Sequence, residues 1–465
     1  MQIVFMVNRY TSNAHLGVMH GISKLLPLRL GAHSAEEAEE IEACGMSWVI
    51  VLTAVVALGM CVVGILEPTE QRATGIAIAI GGGWLLTTQV YNLYRVVLRS
   101  WGNFRLLACL TVIDAVLVFG LGIGGAALWG FVGAMLGMLA AYLIDLLVLH
   151  FYSGIRIRPS LKLSVGYELG KVGFLIMLLT FSDTLLRTVD ASIMAAYYDA
   201  FHVGLYSVGM QVASYMFALP EAAGFVIWPK VMEAWGATGD PAKMRRHIEL
   251  PTVTAAFGMP LLAGVVHTLL PAAIYVVIPE FIGSIDAAQI LTWAGIFLAL
   301  PLAANSLLVA SNREITAICV RAGSGLLLGA VTWWLVLHQA HITTIAYAAA
   351  GAYALSSAIS LLLVLPHYYK GRELVGELAA CYLPTLWAIA SLRMGDNLAA
   401  NLLTPAEGDI LWALLHMTFF VLLYTVGVVY AHYHIDLLNE VREFLKSRRQ
   451  TVEELAASEL EDEQK

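Results

Sequence analysis

Three ionisable residues in one apolar stretch carry the most chemical information in this sequence. Asp183, Arg187 and Asp190 are spaced i, i+4, i+7, which puts them on one face if the stretch is helical. A charged side chain at the centre of a membrane helix costs about 2.5 to 3.5 kcal/mol, so such a face should be turned toward a cavity or neutralised within itself. Two readings follow: a triad that meets a charged solute, or a structural ladder of alternating charge.

Other candidates are more dispersed. Arg95 and Arg99 lie one turn apart beside Tyr91, Asn92, Tyr94 and Trp101, which suits an interfacial anchor or a cationic collar. Arg321 sits about two turns inside its helix, where it can snorkel or line a cavity. Asp114 and Asp145 fall within apolar spans and can bind a proton or sodium in one conformation, or make interhelical hydrogen bonds. Glu221 follows Pro220 in a helix further loosened by Gly224, a coupling acid near a kink. His267 and His416 read as packed core histidines. No pair of His, Cys or acid side chains has metal-ligand spacing, so neither metal nor cofactor is expected.

The elements that position these residues are membrane helices. Of the 465 residues 59% are hydrophobic and 13% charged, about half the charged share of a soluble domain. Apolar runs of about 20 residues, the length that crosses a hydrocarbon core, recur throughout. They fall near 47–67, 73–97, 105–121, 126–150, 172–195, 203–227, 250–278, 286–311, 314–337, 342–366, 375–394 and 408–432. A barrel would show alternation over ~10 residues instead. Alternate loops hold 22 of the 26 basic residues, from Lys24 and Arg29 through Lys230, Lys243, Arg245 and Arg246 to Arg448 and Arg449. The other loops are short and hold mainly acids, among them Glu67, Glu70, Asp199, Glu280, Asp396 and Glu407. Retention of Lys and Arg inside makes the carboxyl terminus cytoplasmic. The five cysteines are scattered and read as small core residues, no cleavable signal peptide is visible, and nothing supports nucleic-acid binding.

An internal repeat organises the chain. Gly17-VMHGISKLLPLRLGAHSAEEAEEI-Glu42 matches Gly224-FVIWPKVMEAWGATGDPAKMRRHI-Glu249 at an offset of about 205 residues. In each copy an apolar helix reaches a proline and a base, then Gly-Ala, a turn and a charged helix start. Both copies enter the membrane from the same side, which makes the repeat parallel. The second copy follows a full span at 172–195 and the first follows none, so one helix is expected to be missing before Met1. The fold class is an all-α polytopic membrane protein of about 12–13 transmembrane helices. Its expected parts are an incomplete helix bundle at 1–150, a basic cytoplasmic linker at 151–167, a six-helix bundle at 168–367 and two further helices at 374–432. A cytoplasmic tail at 433–465 should be amphipathic, then acidic.

Two lobes, a basic linker and two trailing helices resemble the polysaccharide-transporter branch of the multidrug/oligosaccharidyl-lipid/polysaccharide exporter superfamily. Leu16-GVMHGISKLLPLRLGAHSAEEA resembles the loop after that family's second helix. Thr184-LLRTVDASIMAAYYDAFHVGLYSVGMQVASY resembles its seventh helix and the opening of the eighth, and Phe217-ALPEAAGFVIWPKVMEAW the eighth helix and the loop beyond. The resemblance implies alternating-access flipping of undecaprenyl-diphosphate-linked oligosaccharide across the bacterial inner membrane, for O-antigen, lipopolysaccharide or exopolysaccharide synthesis. Arg187 would then pair with the diphosphate while Asp183 and Asp190 hold or release it, and Arg95 and Arg99 would collect it from the inner leaflet. Implied partners are the lipid-linked oligosaccharide, membrane lipid, a coupling proton or sodium, and a polymerase and glycosyltransferases nearby. A drug or small-cation antiporter of the same superfamily is the first alternative, one that calls for acids rather than bases at the cavity centre. The second is a membrane enzyme that polymerises or ligates lipid-linked saccharides. Such an enzyme needs a sizeable external loop, and here every external connection is short.

Overall fold

A computed structural model describes residues 14–66, 72–155, 158–402 and 409–435. The expectations of a further helix before Met1 and of a cytoplasmic tail beyond 435 fall outside the described residues. Among those described there is no strand. Helices satisfy their own backbone groups, which is what long apolar segments require in lipid. In chain order they are α1 (Val18–Gly31), α2 (Ala35–Leu66), α3 (Arg72–Ser100), α4 (Phe104–Tyr152), α5 (Leu163–Tyr197) and α6 (Ala200–Thr238). There follow α7 (Arg245–Val277), α8 (Ile285–Ala299), α9 (Leu302–Ala310), α10 (Glu314–Leu337), α11 (Ile342–Val364), α12 (Arg372–Ala400) and α13 (Ile410–Ile435).

Ten helical stretches among the described residues are long and apolar enough to cross a membrane, and the chain is a multi-pass membrane protein. One of them, α4, carries two of the sequence spans. Its 49 residues break at Trp129 and Gly130, where Gly130 adopts φ 59°, ψ −141°, a conformation open essentially to glycine alone. The two arms then fold back on each other. A Cβ at Gly125 would lie 2.1 Å from the Gly133 carbonyl oxygen, and one at Gly137 would lie 2.0 Å from that of Leu121. Small residues permit this approach, as they do generally between membrane helices. The span at 73–97 is α3, and the span at 286–311 is α8 and α9, separated at Leu300 and Pro301.

Contacts divide the chain into two compact units: Met1–Thr184 with Ala223–Met244 and Ser306–Cys319, and Leu185–Ala222 with Arg245–Asn305 and Val320–Lys465. The first has a core of Ile22, Leu26, Met46, Tyr91, Leu93 and Leu169. The second is built on Leu186, Met194, Tyr206, Phe217, Leu291 and Tyr353. Large apolar side chains such as Phe119, Leu128, Phe181 and Tyr215 are exposed, and exposed apolar surface on this scale marks a protein that interacts with membrane. Of the cysteines, Cys44 and Cys381 are buried, but Cys109 and Cys319 are exposed and are not core residues.

Lys24, which by sequence belongs with the loop bases, lies inside α1 and is 1% exposed. Its ammonium donates to the Glu314 carboxylate and to Asn312 Oδ1 at 2.7 Å. Burial of so strongly hydrated a group requires partners of this kind.

Candidate functional site

In the second unit the site is assembled from α5, α6 and α11. Arg187 projects from α5 with its guanidinium carbon 3.7 Å from the centroid of the Phe217 ring on α6, a cation–π contact worth ~0.5–2 kcal/mol depending on desolvation. Glu221, one turn beyond Phe217, and Tyr353 on α11 are near enough to interact with Arg187 electrostatically. Glu221 itself is exposed. The arginine therefore has an aromatic plane on one face and an acid within range.

Three residues further along α5, Asp190 is 1% exposed. Its carboxylate accepts the hydroxyl of the buried Tyr206 and the Ala191 N–H at 2.8 Å. A buried carboxylate is tolerable only with donors of this kind. Tyr353 lies beside it, close enough for electrostatic interaction. Asp183, the first member of the sequence triad, is half-buried on the same helix, and Arg321 is half-buried two turns into α10.

The first unit holds a separate polar group. The α4 hairpin brings Asp114 on its first arm within electrostatic range of Asp145 on its second. Asp145 is fully buried. Arg95 acts electrostatically on both Asp114 and the neighbouring Tyr142. Its guanidinium lies 5.5 Å from the Tyr91 ring, and the Tyr91 and Tyr142 rings are 5.5 Å apart. Arg99, one turn on, lies 5.2 Å from the Phe225 ring and within electrostatic range of His20. Hence α3 presents Arg95 to the acid pair and Arg99 to an aromatic ring.

Phe217, Tyr206 and Tyr353 were not legible as site residues from sequence: each is an ordinary aromatic on an apolar helix, and only its place opposite Arg187 or Asp190 gives it a role. The Lys24, Asn312 and Glu314 group escaped for a similar reason, its members being 288 and 290 residues apart. The polar run Ser311-Asn312-Arg313-Glu314 was the available signal.

A model of the family described as polysaccharide biosynthesis protein matches residues 51–278. No curated protein sequence is a significant match. Among solved structures, a Vibrio cholerae MATE transporter is 17% identical, with a TM-score of 0.66 over 79% of this chain and 87% of its own. A MOP superfamily transporter from Pyrococcus furiosus is 13% identical, with a TM-score of 0.65 over 81% and 86% of the two chains. That protein is described as having a binding pocket of reversed polarity, which suggests a different function. A eukaryotic MATE transporter is 16% identical, with a TM-score of 0.63 over 82% and 90%. The chain therefore has the MATE-like transporter fold. Family match and structural likeness are both consistent with the polysaccharide-transporter branch of the superfamily.

Proposed function

We propose that this chain, whose fold is that of the MATE and MOP superfamily transporters, flips lipid-linked saccharides across the bacterial inner membrane. The cargo is an oligosaccharide on undecaprenyl diphosphate, destined for surface polysaccharide, and the carboxyl terminus is cytoplasmic. Residues 1–150 and 168–367 act as two rocking lobes joined by the 151–167 linker, with 374–432 as trailing helices.

The observation that carries this reading is the placement of Arg187 over Phe217 within a membrane-length helix. A diphosphate leaving water needs a compensating cation, and a guanidinium offers a bidentate fork that an ammonium lacks. Phe217 covers one face of the guanidinium plane, and phosphate oxygens meet its N–H groups in exchange for the interactions these make in the empty protein. Asp183, Asp190 and Glu221 supply competing negative charge, which keeps binding weak enough for release. Arg95, Arg99 and Arg321 provide further cationic contacts along the route. The family match to polysaccharide biosynthesis supports the cargo class. Asp114 and Asp145 bind and release the coupling proton or sodium.

One observation favours a second reading, a drug or small-cation antiporter: Asp114 and Asp145 are paired in the first unit. Complementation separates the two. The chain should restore surface polysaccharide in a flippase-deficient strain, and the Arg187→Ala variant at equal membrane abundance should not. Drug resistance without polysaccharide export would replace the saccharide reading with the antiporter.

A further inference from the structure

Helices α7, α8, α12 and α13 of the second unit enclose a cavity of about 540 Å³, within the ~300–1,000 Å³ range of small-molecule sites. Its lining includes the exposed residues Ile282 and Asp396, near helix ends that the loop charges assign to the non-cytoplasmic side. Neither Arg187 nor Asp190 lines it.

Two imidazoles in the lining have their hydrogen-bonding roles fixed by their other contacts. The Trp293 indole donates to His267 Nδ1 at 3.2 Å. An indole N–H is only a donor, so the neutral His267 ring carries its proton on Nε2 and offers a donor there. His416, 6% exposed, points Nε2 at the Leu392 carbonyl at 3.1 Å. A carbonyl only accepts, so His416 must be protonated at Nε2 and Nδ1 of the neutral ring is an acceptor. Gln289, also in the lining, donates one amide N–H to the His267 carbonyl at 3.1 Å, and its amide oxygen is an acceptor.

A further donor comes from Trp412. Its ring packs 5.2 Å from that of His416, and its buried Nε1 has no hydrogen-bond partner in the protein. An indole N–H left in that state costs about 1–3 kcal/mol unless a ligand or water takes it. The cavity wall thus holds donors and acceptors side by side, next to an aromatic ring. Its rim is exposed and carries Asp286, Asp396 and Asp409 against one base, Arg393.

That balance of charge disfavours an anion, so the diphosphate of the proposed cargo does not belong here. Among the described residues, no group of three or more His, Cys, Asp or Glu side chains could hold a metal ion. Neutral donors and acceptors in alternation, flanked by carboxylates and an indole face, match vicinal hydroxyl groups and the C–H face of a sugar ring. We propose that this cavity is a saccharide-binding site on the outer side of the second unit, built with the trailing helices and separate from the Arg187 site.

The test is isothermal titration of the full-length protein in lipid nanodiscs with maltotriose, cellotriose and chitotriose. At least one trisaccharide should bind saturably. Trp412→Phe, which keeps the ring and removes the N–H, should weaken that binding about three- to tenfold with an unchanged elution profile and melting temperature. Arg187→Ala should bind the trisaccharide as the wild type does, so loss of flipping and loss of this site can be told apart. Absence of saturable binding by all three sugars overturns the proposal. So does an affinity that Trp412→Phe leaves unchanged, or saturable binding of tetraphenylphosphonium in place of sugar, which would mark an organic-cation site.

Discussion

Gly31 and Gly236 make the same contact from opposite sides of one helix crossing. A Cβ on Gly31 would lie 1.9 Å from the Glu233 carbonyl oxygen, and one on Gly236 would lie 2.1 Å from that of Leu28. Gly31 and Gly236 are 205 positions apart, and so are Leu28 and Glu233. The contact is therefore its own partner under exchange of the two repeat copies, the signature of a local two-fold axis between α1 and the end of α6. The Trp228 indole adds a hydrogen bond to the Ser23 carbonyl at 3.0 Å across the same crossing.

Because backbone meets backbone there, neither position can take a methyl group without parting the helices. Gly31→Ala and Gly236→Ala should each destabilise the protein by about 1–3 kcal/mol. The double variant should lose less than the sum, since the first substitution already opens the crossing. Thermal unfolding in one detergent checks this; a neutral Gly236→Ala alongside a damaging Gly31→Ala would break the equivalence.

The Lys24–Glu314 pair makes a second prediction. Removing one member of a buried ion pair strands the other, at a cost of about 3–5 kcal/mol. Lys24→Met should therefore lower the melting temperature sharply. Adding Glu314→Leu should recover much of the loss, because no charge then remains buried. A melt for the double variant as low as that of Lys24→Met would show that the pair is not the cause.

Asp114 and Asp145 bear on coupling. In a low-dielectric setting two facing carboxyl groups repel when both are ionised, so the pair is suited to taking up one cation and giving it back. Asp145→Asn should leave the protein folded yet make transport in proteoliposomes insensitive to imposed proton and sodium gradients. Unchanged gradient dependence in both Asp114→Asn and Asp145→Asn would remove these residues from the coupling step.

How much of this was readable in the sequence depends on the range of the interaction. Membrane spans are local, and apolar length alone locates α2 or α11. The repeat could be found because Gly31 and Gly236 sit in strings similar enough to align, although their mutual contact could not. Asp114 and Asp145 each stood out as acids in apolar spans, but their pairing depends on the reversal at Gly130. Asp190 was legible as an ionisable group on the Arg187 face; its hydrogen bond from Tyr206 requires the packing of α5 on α6. Lys24 was read as a loop base, since Glu314 neutralises it from 290 residues away.

The central claim is that Arg187 meets the diphosphate of a lipid-linked saccharide during its passage across the membrane. Its most direct test is leaflet exposure in proteoliposomes. Undecaprenyl-diphosphate-linked oligosaccharide is incorporated with purified protein, and a membrane-impermeant glycosidase reports the fraction of sugar that becomes accessible with time. Wild-type protein should expose the inner-leaflet pool, Arg187→Lys should do so more slowly, and Arg187→Ala should leave it protected at equal reconstitution. Exposure by Arg187→Ala at the wild-type rate would contradict the account.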